Sequence, residues 1–265
     1  MRKIIYAMMA IAAVVVMTAA SKKPVTLFMV GDSTMADKEE LEASPERGWG
    51  QLFPTYLQGN IILQNHARNG RSTKSFLDQG RWQEVMNRAH KKDIVIIQFG
   101  HNDAKQSDTT RYASIEQYED NLMLMIGQAQ KKGMRVILCT PIARRYFNAE
   151  GQFYPAHGGY PEAARRVARR MQVPLLDLEA ATNEWLRGLG PEDSKAYFMN
   201  VAPGECTKFP EGKKDNTHLR ENGALAVGHM AAEMIKDMNL KWFKNYIVIP
   251  ENPEPVYSTP CDIEK

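Results

Sequence analysis

The chain has 265 residues, 43% hydrophobic and 25% charged, with a formal net charge of +3. That length buries one α/β core but is short for two, and the composition is that of an ordinary globular protein, which excludes disorder as the main theme. Arg2 and Lys3 fall in a leader expected to be removed, which leaves +1; so neutral a surface gives no support to a nucleic-acid or membrane partner.

Residues 1–20 read as an export signal. Arg2 and Lys3 form the basic start, residues 4–17 are an uncharged apolar run, and Thr18, Ala19 and Ala20 supply small residues for cleavage. The run is short of the ~20 residues of a spanning helix, so the expected location is periplasmic or extracellular. Residues 21–240 are expected to form one domain, with a Pro-rich, aromatic tail at 241–265 packed on it.

In chain order, residues 25–30 are a β-branched and apolar run that reads as a strand buried on both faces. Gly31 ends it, and Asp32, Ser33 and Thr34 crowd the following turn, either as helix caps or around an exposed nucleophile. Residues 37–48 read as a surface loop and 49–57 as a short helix interrupted near Pro54, where Trp49 is a candidate for sugar stacking or helix packing. Residues 61–64 form a second short strand, followed by the loop NHARNGRSTKSF and a helix over 81–90. Residues 93–99 (DIVIIQF) are the clearest central strand and run into Gly100-His101-Asn102-Asp103.

A helix over 114–132 follows, closed by Gly133, then a strand at 135–140, a helix at 161–171, a strand at 173–178 and a helix at 179–189. The last long helix is expected over 219–238. This repeated alternation of buried strand and helix predicts a parallel sheet with helices on both faces. Cys139 lies in an apolar run and reads as a buried small hydrophobe, while Cys206 and Cys261 are a candidate pair in an exported protein. No metal-ligand cluster or nucleotide loop is present in the sequence, so no cofactor and no metal are expected.

Four short blocks carry the chemistry: GDST at 31–34, NGRS at 69–72, GHND at 100–103 and DNTH at 215–218. Together, and in this order, they resemble the blocks of SGNH (GDSL-type) hydrolases, and the fuller strings GDSTMADK, NHARNGRSTKSF, QFGHNDAK and DNTHL are most similar to rhamnogalacturonan acetylesterases. The resemblance implies a flavodoxin-like three-layer α/β/α sandwich on a five-stranded parallel sheet. It also implies Ser33 as nucleophile, His218 as its base and Asp215 as the group orienting the ring. The oxyanion donors it implies are the backbone N–H groups of Ser33 and Gly70 and the side-chain amide of Asn102.

Each assignment has a physical reason. A serine hydroxyl needs an adjacent base at neutral pH, a carboxylate fixes the imidazole tautomer, and glycine allows close approach of the backbone. Asp32 and Asp103 read as loop-fixing residues. Arg71, Lys74, His101, Arg144 and Arg145 lie on loops expected to border the crevice, where cations could meet galacturonate carboxylates. The expected substrate is an acetylated polysaccharide or oligosaccharide, rhamnogalacturonan first. Alternatives are acetylxylan or another short-chain carbohydrate ester, a lipid or thioester, and a catalytically silent carbohydrate-binding protein.

Overall fold

The computed structural model describes residues 23–258, so the expected leader, and Cys261 with its pairing to Cys206, lie outside the described residues. The strands are β1 (Val25–Gly31), β2 (Glu46–Arg47), β3 (Ile61–Asn65), β4 (Ile94–Gln98), β5 (Arg135–Cys139), β6 (Leu175–Leu176), β7 (Phe198–Val201) and β8 (Lys213–Arg220). The helices are α1 (Trp49–Leu52), α2 (Thr73–Asp78), α3 (Arg81–Arg88), α4 (Ile115–Lys131), α5 (Tyr160–Met171), α6 (Leu178–Asp193) and α7 (Glu221–Asp237).

Five strands form one parallel sheet in the order β3-β1-β4-β5-β6. This is the flavodoxin-like order, with the switch point between β1 and β4, where α/β sheets bind their ligands. Side chains alternate between the faces along each strand. Leu27, Met29, Ile94, Ile96, Ile137 and Cys139 face one core, shared with α1, α6 and α7. Phe28, Val30, Val95, Ile97, Val136 and Leu138 face the other, shared with α3, α4 and α5. The result is a three-layer α/β/α fold, and β4 is buried along its whole length.

Helix ends follow local chemistry. Ser114 and Gln117 form a reciprocal capping box at the start of α4, and Ser72 with Ser75 does the same for α2. The helically spaced faces of α3 (Trp82, Val85, Met86) and α4 (Leu122, Met125, Ile126, Ala129) are buried. In α7, Met230 is half-buried, while Ala224, Val227, Ala231 and Ile235 are buried.

Three expectations are corrected. Leu219 and Arg220 end strand β8 and do not open a helix, because Leu219 pairs with Phe198 and Arg47 while the Arg220 guanidinium donates to the carbonyls of Phe198 and Asn200. The stretch at 37–48 is not simply a surface loop. Its Glu46 and Arg47 pair with β8, and with β7 they make a second, antiparallel three-stranded sheet. The strand expected at 173–178 shrinks to two residues, since Asp177 already caps α6.

Trp49 is fully buried and donates from Nε1 to Gln98 Oε1 at 2.8 Å, so it packs in the core and offers no face to a sugar. Cys139 is buried as expected, and burial pushes its thiol up. Beyond α7, Phe243 and Ile247 are buried in the core and Ser258 N–H donates to Gln51 O at 2.7 Å. Among the described residues no helix is long and apolar enough to cross a membrane.

Candidate active site

Ser33 follows β1 at the carboxyl end of the parallel sheet. The turn is fixed by Asp32, whose Oδ1 accepts from Thr34 N (2.9 Å) and Thr34 Oγ1 (2.8 Å), while Gln98 Nε2 donates to the same Thr34 hydroxyl at 2.8 Å. Burial alone would raise the Asp32 carboxyl. His101, with Nδ1 3.4 Å from Oδ2, and the Thr34 donors outweigh it and hold the group at about 2.

The loop of Gly70 runs on beside the end of β1, because His66 N–H donates to Met29 O (2.8 Å) and Arg68 N–H to Gly31 O (3.0 Å). Gly70 itself has φ +73°, a left-handed conformation that favours glycine, and a Cβ there would come within 3.3 Å of Arg111 Nη1. Asn102 donates from Nδ2 to Arg71 O at 2.9 Å, so the loop after β4 is bonded to the Gly70 loop. A primary amide carries two N–H groups, which leaves the other for a ligand oxygen.

Asp103 locks the same two loops. Its carboxylate accepts from Thr73 N (2.9 Å), Thr73 Oγ1 (2.5 Å) and Gly100 N (3.1 Å). Complete burial pushes its carboxyl up to about 7, the Thr73 donors offsetting only part of the penalty.

Asp215 and His218 come from the small sheet. Between the pairs Asn200↔Lys214 and Phe198↔Leu219, β7 advances by two residues while β8 advances by five, and the register shifts there. Residues 215–218 therefore leave the ladder as a bulge, a device that re-aims side chains. The Asp215 carboxylate closes the bulge by accepting from Thr217 N (2.9 Å) and His218 N (3.0 Å). Arg145 is buried and donates from Nη1 to Asn216 Oδ1 at 2.8 Å, so it braces the bulge from behind.

The two halves meet in one line. His218 Nδ1 lies 2.7 Å from Asp215 Oδ2, and His218 Nε2 lies 2.8 Å from Ser33 Oγ. Burial opposes ionisation of Asp215, but His218 and the two backbone donors more than offset it and hold the carboxyl far below the usual range. An ionised Asp215 fixes the proton on Nδ1, so Nε2 accepts from the serine hydroxyl. This is a hydroxyl–imidazole–carboxylate relay able to generate an alkoxide for attack on a carbonyl carbon.

The whole arrangement lies within or beside residues 29–223, which match the GDSL-like Lipase/Acylhydrolase family. The chain belongs to that family. It is a carboxylic ester hydrolase. It is 37% identical to rhamnogalacturonan acetylesterase RhgT of Bacillus subtilis, an alignment covering 89% of this chain and 99% of that protein. It is 30% identical to the probable rhamnogalacturonan acetylesterase YesY of the same organism, over 81% of this chain and 94% of that one. Among solved structures, YxiM of Bacillus subtilis superposes with a TM-score of 0.72 at 25% identity, covering 83% of this chain and 58% of that chain. The acetylxylan esterase Axe2 of Geobacillus stearothermophilus shares the fold, with a TM-score of 0.55 at 18% identity over 81% of this chain and 96% of that one.

In this family member the other residues singled out in the sequence divide. Arg144 sits at the relay, donating from Nη1 to Thr217 Oγ1 (2.6 Å) and from Nη2 to His101 O (3.2 Å), and among the described residues it has no carboxylate partner. Arg71 is held by Gln79 Oε1 (2.7 Å) and Asn69 O (2.9 Å). Lys74 pairs with Asp78 at 2.5 Å on α2. His101 is only 2% exposed, wedged between Asp32 and the ring of His157 at 4.5 Å, so a polymer cannot reach it as the sequence suggested.

Two further groups of residues, outside the candidates drawn from the sequence, stand at the site. Lys105 and Arg111 join Arg144 around the crevice: partial burial and the fields of Arg111 and Arg144 hold Lys105 below its ordinary value. Lys38, Glu46 and Lys213 form an ion chain that reaches Asp215. Lys38 stands inside GDSTMADK, which is the signal that could have drawn attention to it.

Proposed function

We propose that this enzyme is an exported carbohydrate O-acetylesterase that removes acetyl groups from rhamnogalacturonan through an acetyl-enzyme on Ser33. The observation that carries the mechanism is the unbroken line from Ser33 Oγ through His218 to Asp215, at 2.8 and 2.7 Å. His218 takes the serine proton as Oγ adds to the acetyl carbonyl carbon. The oxygen that becomes negative is received by the N–H groups of Ser33 and Gly70 and the free amide N–H of Asn102, aimed at charge present only in the tetrahedral state. Collapse expels the sugar hydroxyl, which leaves with the proton from His218. Water then repeats the sequence, releasing acetate and restoring the hydroxyl.

Two things support the substrate. Two relatives, 37% and 30% identical, are named as a rhamnogalacturonan acetylesterase and a probable rhamnogalacturonan acetylesterase. The crevice also carries Arg144, Lys105 and Arg71, cations suited to the uronate carboxylates of a pectic backbone. Such a rim does not suit a fatty acyl chain, so p-nitrophenyl acetate is expected to be preferred over the octanoate. Export rests on the leader at 1–20, and its removal would be seen as a mature N-terminus near Ser21.

Acetate release is to be measured on acetylated rhamnogalacturonan, homogalacturonan and xylan. Fastest release from rhamnogalacturonan, abolished in Ser33→Ala, is the expected result. Faster release from xylan would overturn the substrate, and a fully active Ser33→Ala would overturn the mechanism.

A further inference from the structure

Lys38 Nζ lies 2.7 Å from Ser33 O, 2.7 Å from Asn69 Oδ1 and 3.0 Å from Glu46 Oε1. An ammonium has three N–H donors, and here each has its own acceptor on a different segment. We propose that Lys38 is a positioning residue, clamping the Ser33 turn to the Asn69–Gly70 peptide so that the two backbone oxyanion donors keep a fixed separation. This inference rests on the site assigned above.

The geometry favours this reading over a solvated surface charge. The Lys38 side chain is 9% exposed, and burying an ammonium is costly unless it is paired. Burial presses its proton affinity down, and Glu46 works against that. One acceptor is the carbonyl of the serine itself. Another is the side chain of the residue whose carbonyl carbon carries the Gly70 N–H.

The clamp also continues to the base. Glu46 stands on β2, its Oε2 3.6 Å from Lys213 Nζ, and Lys213 Nζ lies 3.0 Å from Asp215 Oδ2. Charges alternate from Lys38 through Glu46 and Lys213 to Asp215, joining the nucleophile turn to the carboxylate that orients His218. A compact ammonium fits acceptors converging from three sides, whereas the planar fork of arginine does not.

The test compares Lys38→Met, Asn69→Ala and the double variant, using kcat and KM for p-nitrophenyl acetate beside thermal melts, with Ser33→Ala run in parallel. Misplacing reacting groups by about 1 Å costs up to ~10²-fold, so each single variant is expected to lose roughly 10–100-fold in kcat with KM within twofold. The double variant should be no slower than Lys38→Met, because both remove the same tie. Asn69 is exposed, so Asn69→Ala decides the matter even if Lys38→Met fails to fold.

Parental kcat in Asn69→Ala, or losses that multiply in the double variant, would overturn the clamp. A Ser33→Ala protein with parental turnover would instead overturn the site assignment, and the clamp with it.

Discussion

The two sheets contrast in how they are made and in what they contribute. The parallel sheet is built from apolar strands such as Ile94–Gln98, buried on both faces, and its carboxyl edge bears Ser33, the Gly70 loop and Asn102. The antiparallel sheet is short and polar. Its β8 reads KKDNTHLR, is mostly half-buried, and bears Asp215 and His218 on a bulge. Hydrophobic burial thus holds the half that bears Ser33, Gly70 and Asn102, whereas hydrogen bonds and ion pairs hold the half that bears Asp215 and His218. The contrast extends to the two loop-bearing carboxyls, since Asp103 under the first half is pushed up to about 7 while Asp215 in the second is held far below the usual range.

Substitutions in each half test this division. Ser33→Ala should have the largest effect, a loss on the order of 10⁴–10⁶ in kcat with an unchanged melt, as for other relay nucleophiles; a substantial drop in Tm would mean that the turn is structural. Asp215→Asn keeps the shape but permits the wrong tautomer, and is expected to cost about 10⁴ in kcat. Loss of the bulge's backbone bonds would show separately, as weaker amide protection at Thr217 and His218. Asn102→Ala removes one oxyanion donor from the rigid half and should cost about 10²–10³ in kcat with little change in KM.

The smallest effect concerns stability and pH. The Asp103 carboxyl rises from 3.8 to about 7 on folding, so between those values the folded chain holds the extra proton. Stability must then fall as pH rises through that window and level off above it. Asp103→Asn should flatten this slope, narrowing the Tm difference between pH 5 and pH 7.5 by roughly 5 °C. An unchanged slope would mean that Asp103 is ionised throughout.

How far each half could be read in the sequence follows the same line. Strands such as β1 and β4 announce themselves by continuous apolar runs, and faces such as Trp82, Val85 and Met86 by helical spacing. The small sheet does not, because Glu46–Arg47 is two residues long and β8 is charged. No periodicity marks them, and pairing across more than 160 residues is a tertiary fact. His218 and Asp215 were legible only as a string of letters resembling a family, not as a bulge. Lys38 was visible in its block but mute, since its meaning depends on Asn69 and Glu46 coming close.

The central claim is that one hydroxyl, activated by His218, performs the chemistry. Phenylmethylsulfonyl fluoride labelling followed by peptide mass spectrometry tests it most directly. One adduct per chain is expected, on Ser33, with activity lost in step with labelling and no adduct in His218→Ala. Full turnover by enzyme wholly labelled at Ser33 would contradict it.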